Sequence, residues 1–206
     1  MTGIEDALSD LPLVAILRGV TPEEAVPIST ALYDAGFRCI EVPLNSPEPF
    51  QSIAAMTEAL PDDCVTGAGT VLDAEDVLKV KQAGGTIIVT PNTDVSVIKA
   101  SIDEDMIVVP GVGTATEAIL AARAGARYLK MFPAATYGTS HVRALLSVLP
   151  AGCQILVTGG VSASNIADWK MAGAAGFGIG SELYRAGDSV EKVSAKALEI
   201  VASLKG

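Results

Sequence analysis

Arg123-Ala124-Gly125-Ala126-Arg127-Tyr128-Leu129-Lys130-Met131 joins the end of a helix-like segment to a short apolar run through a glycine. Glycine enters the left-handed backbone region without a Cβ clash, so it can stop a helix and turn the chain into the next element. The same phrase recurs at Asp34-Ala35-Gly36-Phe37 before Cys39-Ile40-Glu41-Val42, and at Gln82-Ala83-Gly84-Gly85 before Thr86-Ile87-Ile88-Val89. It returns at Met171-Ala172-Gly173-Ala174 before Gly176-Phe177-Gly178-Ile179. These are repeated helix-to-strand junctions.

Further strand-like runs lie at Leu13 to Leu17, Cys64 to Ala68, Met106 to Val109 and Gln154 to Val157, which brings the count to eight. The runs are nearly continuous in apolar character, as expected for parallel strands covered by helices. Helix starts are read at Thr21-Pro22-Glu23-Glu24, Ser46-Pro47, Asp73 and Ser164, residue types that cap a helix or open its first turn. Regular alternation allows a closed barrel or a doubly wound open sheet. Eight strands at short spacing favour the α/β class and a (β/α)8 TIM barrel with a short N-terminal helix, one domain over residues 1–206.

The bulk properties agree. A chain of 206 residues sits at the short end for such a barrel, and aliphatic residues outnumber aromatics. No run of about 18 apolar residues exists to span a membrane. Met1 to Leu11 carries Glu5, Asp6 and Asp10 and lacks the basic and apolar regions of a signal peptide, so a cytoplasmic protein is expected. A net charge of −10 argues against nucleic acid as a partner. It also requires any anionic substrate to be caught locally, by a few cations and backbone amides. Cys39, Cys64 and Cys153 are odd in number and lack CxxC spacing, which reads as buried free thiols. His141 is the single histidine, so a histidine-ligated zinc site is not expected, and no metal is called for; His141 itself reads as a helix-start residue.

In a barrel the active face lies at the C-terminal strand ends. Those ends read Arg18-Gly19, Glu41, Gly69-Thr70, Thr90-Pro91-Asn92, Pro110-Gly111, Lys130, Thr158-Gly159-Gly160 and Gly180-Ser181. Polar and small residues gather at one rim. Lys130 is flanked by large apolar side chains, and a free lysine is almost wholly protonated with a pKa of about 10.4. Burial, or a nearby cation such as Arg18, disfavours the ammonium and exposes an amine that can attack a carbonyl. The alternative is a lysine that snorkels to the rim or pairs with Glu41. Glu41 on an inward face is costly unless paired or functional; it suits a proton shuttle, or an ion pair with Lys130 or Arg18. Thr158-Gly159-Gly160-Val161-Ser162 and Gly178-Ile179-Gly180-Ser181 let backbone amides approach a phosphate. Trp169 reads as helix packing, and Tyr137 and Tyr184-Arg185 as rim residues facing substrate or a neighbouring subunit.

Seven segments in order carry a resemblance: Ala15-Ile16-Leu17-Arg18-Gly19, Ile40-Glu41-Val42-Pro43-Leu44-Asn45-Ser46-Pro47, Gly67-Ala68-Gly69-Thr70-Val71-Leu72, Pro110-Gly111, Leu129-Lys130-Met131-Phe132-Pro133, Thr158-Gly159-Gly160-Val161 and Gly180-Ser181. Along nearly its whole length the chain resembles the class I 2-keto-3-deoxy-6-phosphogluconate and 6-phosphogalactonate aldolases. The resemblance implies a homotrimeric barrel lyase without metal or cofactor, cleaving a phosphorylated keto acid to pyruvate and D-glyceraldehyde 3-phosphate. It implies Lys130 as the Schiff-base lysine and Glu41 as proton donor and acceptor. Arg18 and Thr70 would hold the pyruvyl carboxylate; Gly160, Gly180 and Ser181 would hold the phosphate. Asn45 and Thr158 are also expected to contact the substrate; Asn45 stands where the gluconate branch usually carries arginine, and Thr90-Pro91-Asn92 and Leu183-Tyr184-Arg185-Ala186-Gly187 are similar to the galactonate branch. Thr158 is like the gluconate branch. The balance favours the galactonate acid, with the gluconate epimer as the alternative and a phosphosugar isomerase or epimerase on the same barrel further behind.

Overall fold

The computed structural model of the chain describes residues 3–205; Met1, Thr2 and Gly206, the ends of the expected 1–206 domain and signal-free N-terminus, lie outside the described residues. Helix α1 (Ile4–Ser9) precedes β1 (Leu13–Ile16), α2 (Pro22–Asp34), β2 (Cys39–Pro43), α3 (Pro49–Ala59), β3 (Val65–Gly69), α4 (Ala74–Gln82), β4 (Ile87–Val89) and α5 (Val95–Asp103). Then come β5 (Ile107–Val109), β6 (Gly111–Val112), α6 (Ala115–Arg123), β7 (Tyr128–Met131), α7 (Ala134–Tyr137), α8 (Thr139–Leu146), β8 (Gln154–Thr158), α9 (Ile166–Met171), β9 (Gly176–Ile179) and α10 (Val190–Lys205).

The strands run in the order β5-β4-β3-β2-β1-β9-β8-β7-β6, every pair parallel. There are nine segments rather than eight because Pro110 splits one stave. Proline has no N–H to give a ladder, so β5 pairs with β4 before it and β6 pairs with β7 after it. The Pro110 carbonyl still accepts from the Lys130 N–H at 2.8 Å. Eight staves therefore ring the barrel.

The four glycine junctions share one geometry. Gly36, Gly84, Gly125 and Gly173 have φ of 111°, 85°, 109° and 98°, and the amide after each reaches back into the last helical turn, as from Phe37 to Leu32 and from Ala126 to Ala121. A fifth copy lies between α5 and β5, where Asp105 takes φ 55° and Met106 N–H reaches Ser101. Two expected helix starts need correction. Helix α3 opens at Pro49 after Glu48 in the left-handed region, not at Ser46-Pro47, because Ser46 is used elsewhere: its hydroxyl accepts from Gly19 N–H. Helix α9 opens after Asn165 rather than Ser164. Thr21 and Asp73 stand at their expected cap positions.

Side chains alternate along each strand. Ile40 and Val42, Leu129 and Met131 join the core between barrel and helices, while Cys39 and Tyr128 join the barrel interior. Two residues further along those inward faces stand Glu41 and Lys130, by the period-two rule. Helix α1 closes the other end with Ile4, Ala7 and Leu8 packed in the interior cluster. Six residues cannot hold a helix unaided, so this burial is what fixes α1. Trp169 is buried on α9 as expected. All three cysteines are free, but only Cys39 is buried; Cys64 and Cys153 sit half-buried in the turns entering β3 and β8.

Candidate active site

The C-terminal mouth of the barrel opens on a cavity of about 520 Å³. Among the residues lining it are Ile16, Arg18, Lys130, Phe132, Thr158, Gly159, Gly160, Gly180, Ser181 and Arg185. Lys130 projects into it from β7 and keeps only 4% of its surface exposed. Its Nζ lies 5.1 Å from the centre of the Phe132 ring. Burial drives the Lys130 pKa down, Glu41 pulls it back up, and Arg18 pushes it down again. The rim-snorkelling alternative does not fit a side chain this covered.

Glu41 is 1% exposed on β2, and its Oε2 has no hydrogen-bond partner among the described residues. Burial raises its pKa to about 7, against the opposing pull of Lys130 and then Arg18. Among the described residues no ion pair joins Glu41 to Lys130. The pair thus consists of a carboxyl and an amine that both resist ionisation. An unpartnered buried oxygen is costly and ready to accept or give a proton.

Space for that carboxyl comes from a residue type. A Cβ on Gly69, across the β2–β3 ladder, would overlap the Glu41 carboxyl group. Thr70, next in the chain, takes φ 53°, a strained setting for a β-branched residue. That turn aims its hydroxyl at Arg18, whose Nη2 donates to Thr70 Oγ1 at 3.3 Å while Nη1 donates to Asn45 Oδ1 at 2.5 Å. Arg18, Asn45 and Thr70, from the loops after β1, β2 and β3, therefore form one cluster. Asn45 was expected among the substrate-binding residues; its carbonyl is spent holding Arg18.

Across the mouth the wall is backbone. Gly159 and Gly160 have φ of 91° and 80°, which opens the turn after β8. A Cβ on Gly180 would meet nothing within 4 Å, so this turn after β9 borders open cavity. Thr158 is nearly buried, and its hydroxyl fills the space that a side chain at Gly178 would take. Tyr184 is buried, lines the cavity, and its hydroxyl donates to Glu24 Oε2 at 3.3 Å. Tyr137 stacks on His141 with ring centroids 4.7 Å apart, and His141 Nε2 is bonded to the Gly113 carbonyl at 2.8 Å. His141 is thus a brace between α8 and the turn after β6, more than a helix-start residue.

Phe132 and Gly69 carry more of the site than their sequence context suggests. The alternation of inward and outward positions could have found Gly69, since it faces Glu41 across adjacent strands. Among the described residues no group of three or more His, Cys, Asp or Glu side chains is arranged to hold a metal, and no helix is long and apolar enough to cross a membrane.

Residues 4–199 match the family model described as "KDPG and KHG aldolase". The chain is 48% identical over 191 residues to the 2-dehydro-3-deoxy-6-phosphogalactonate aldolase of Escherichia coli (strain K12), covering 93% of each. A solved structure described as native KDPGal superposes with a TM-score of 0.92 at 47% identity, covering 95% of both chains. A cube-shaped protein cage designed by fusing symmetric oligomeric domains matches with a TM-score of 0.93 at 47% identity, over 95% of this chain and 72% of that one.

Proposed function

The chain belongs to the KDPG and KHG aldolase family and is a lyase, and we propose that it cleaves 2-dehydro-3-deoxy-6-phosphogalactonate to pyruvate and D-glyceraldehyde 3-phosphate through a Schiff base on Lys130. The observation that carries this is the buried Lys130 amine beside an equally buried, unpartnered Glu41, facing the glycine turns after β8 and β9.

Lys130 adds to the C2 carbonyl, and loss of water gives an iminium. The C4 hydroxyl gives up its proton, the C3–C4 bond breaks, and its electrons move into the iminium to leave an enamine. Glyceraldehyde 3-phosphate departs. A proton returns to C3, and hydrolysis frees pyruvate and the amine. Glu41, whose Oε2 is unpartnered, holds and returns these protons. Its pKa of about 7 lies near neutral pH, where a group both gives and takes protons efficiently. Arg18, fixed by Asn45 and Thr70, takes the substrate carboxylate as a fork; the amides at Gly160, Gly180 and Ser181 take the phosphate. Thr158, between Lys130 and those amides, offers a hydroxyl to the substrate chain.

The phosphogalactonate assignment is supported by the names of the similar proteins and by the Arg18–Asn45 bond. A contact that hydrogen-bonds one hydroxyl can discriminate between epimers when the wrong one leaves it unpaired. The enzyme is proposed to act in the cytoplasm as a homotrimer. The side-by-side test is pyruvate release from the two epimeric 6-phospho acids. A higher kcat/KM for the galactonate acid is expected; equal or reversed values would move the assignment to the gluconate acid.

A further inference from the structure

We propose that Arg185 is the cation that clamps the substrate phosphate and sets the preference for a phosphorylated over an unphosphorylated acid, an inference that rests on the aldolase reading above. The charged side chains lining the cavity are Arg18, Lys130, Glu182 and Arg185. Arg18 is tied to Asn45 and Thr70 at the far wall, and Lys130 is buried below. At the glycine end only Glu182 and Arg185 remain. Without Arg185 the side chains there would carry a net negative charge, in a chain whose overall charge is −10. A phosphate dianion would then meet amides alone against that field.

The placement of Arg185 fits a clamp. Its Nε donates to the Ser181 carbonyl at 3.2 Å, which sets the guanidinium alongside the Gly180-Ser181 turn. Its backbone N–H donates to Asp188 Oδ2 at 3.2 Å, which fixes the loop that carries it. Asp188 does not neutralise the Arg185 head, because its two oxygens are paired with Lys192 and Lys196 at 2.6 and 2.8 Å. Among the described residues the two terminal nitrogens of Arg185 make no hydrogen bond to protein, so a fork of donors is left for an anion. Planar, bidentate recognition of phosphate is what a guanidinium does and an ammonium does not.

The test compares wild type with Arg185→Ala and Arg185→Lys on the 6-phospho acid and on the same acid lacking phosphate. The preference for the phosphorylated acid, as a ratio of kcat/KM values, is expected to fall by about ten- to hundredfold in Arg185→Ala, the range for losing a charge-assisted hydrogen bond. The loss should appear mainly in KM, and Arg185→Lys should recover part of it. An unchanged ratio overturns the inference, and so does an equal loss on both acids, which is what a merely structural arginine would give. Inorganic phosphate, titrated calorimetrically, supplies a readout independent of turnover: about tenfold weaker binding to Arg185→Ala is expected, and equal binding overturns the clamp. A wild type that binds phosphate through Arg185 yet releases no pyruvate would sustain the clamp and remove the aldolase reading.

Discussion

The two walls of the cavity are made of different material. The wall after β1, β2 and β3 is built from side chains, with Arg18 locked to Asn45 and Thr70 and with Glu41 fitted against Gly69. The wall after β8 and β9 is built from backbone, with Gly159 and Gly160 in the left-handed region and open space beside Gly180. The first wall buries the Glu41 carboxyl, and so raises its pKa; the second leaves donors facing the cavity. Chemistry that must change a proton count belongs with the first. Holding the phosphate, whose charge does not change in the reaction, belongs with the second.

The largest effect expected from breaking this division is Glu41→Gln, which keeps the shape and removes the titrating group. The rate should fall by about 10²–10⁴-fold, the usual worth of a general acid–base group. In wild type the rate should have an acidic limb near pH 7, the value to which burial raises Glu41, and the variant should lose that limb. Stability carries the same signature. A carboxyl whose folded pKa lies above its unfolded value of about 4.3 contributes stability that is full below that value and is lost as pH rises through about 7. Glu41→Gln should flatten that decline in denaturation midpoints measured between those pH values. Lys130, whose pKa is lowered, works in the opposite direction at higher pH.

A smaller pair of effects sharpens the contrast. Gly69→Ala places a methyl where the Glu41 carboxyl lies, and displacing a reacting group by about 1 Å costs on the order of 10²-fold; the loss should fall on kcat. Gly180→Ala meets no protein atom within 4 Å. Stability should stay within about 0.5 kcal/mol, while the methyl crowds the phosphate and raises KM by about tenfold. Steady-state kinetics on both variants checks the split. Two variants with the same pattern would dissolve the distinction between the walls.

The side-chain wall was the more legible in the sequence. Lys130 and Glu41 stand out because a charge inside an apolar strand needs a reason, and the repeated Ala-Gly junction announced the β/α order through its left-handed glycines. The fifth junction escaped because Asp105 takes the same conformation without being glycine. Pro110 gave no hint that it would divide a stave, since its effect depends on which neighbour each half pairs with. The backbone wall was read through glycine pairs, which are common in any turn. Arg185 was visible only as a rim residue, because its value comes from the Ser181 carbonyl that aims it. Asn45 is expected as a substrate contact, and its oxygen also accepts from Arg18, a partner 27 residues away that no local pattern announces.

The central claim is that the amine at Lys130 is uncharged often enough to condense with a ketone. Incubation with pyruvate and borohydride, followed by peptide mass mapping, tests it directly. The account predicts one reduced pyruvyl adduct, on the peptide containing Lys130, lost in Lys130→Arg together with pyruvate-releasing activity. An unmodified Lys130, or a Lys130→Arg enzyme that still turns over, would contradict it.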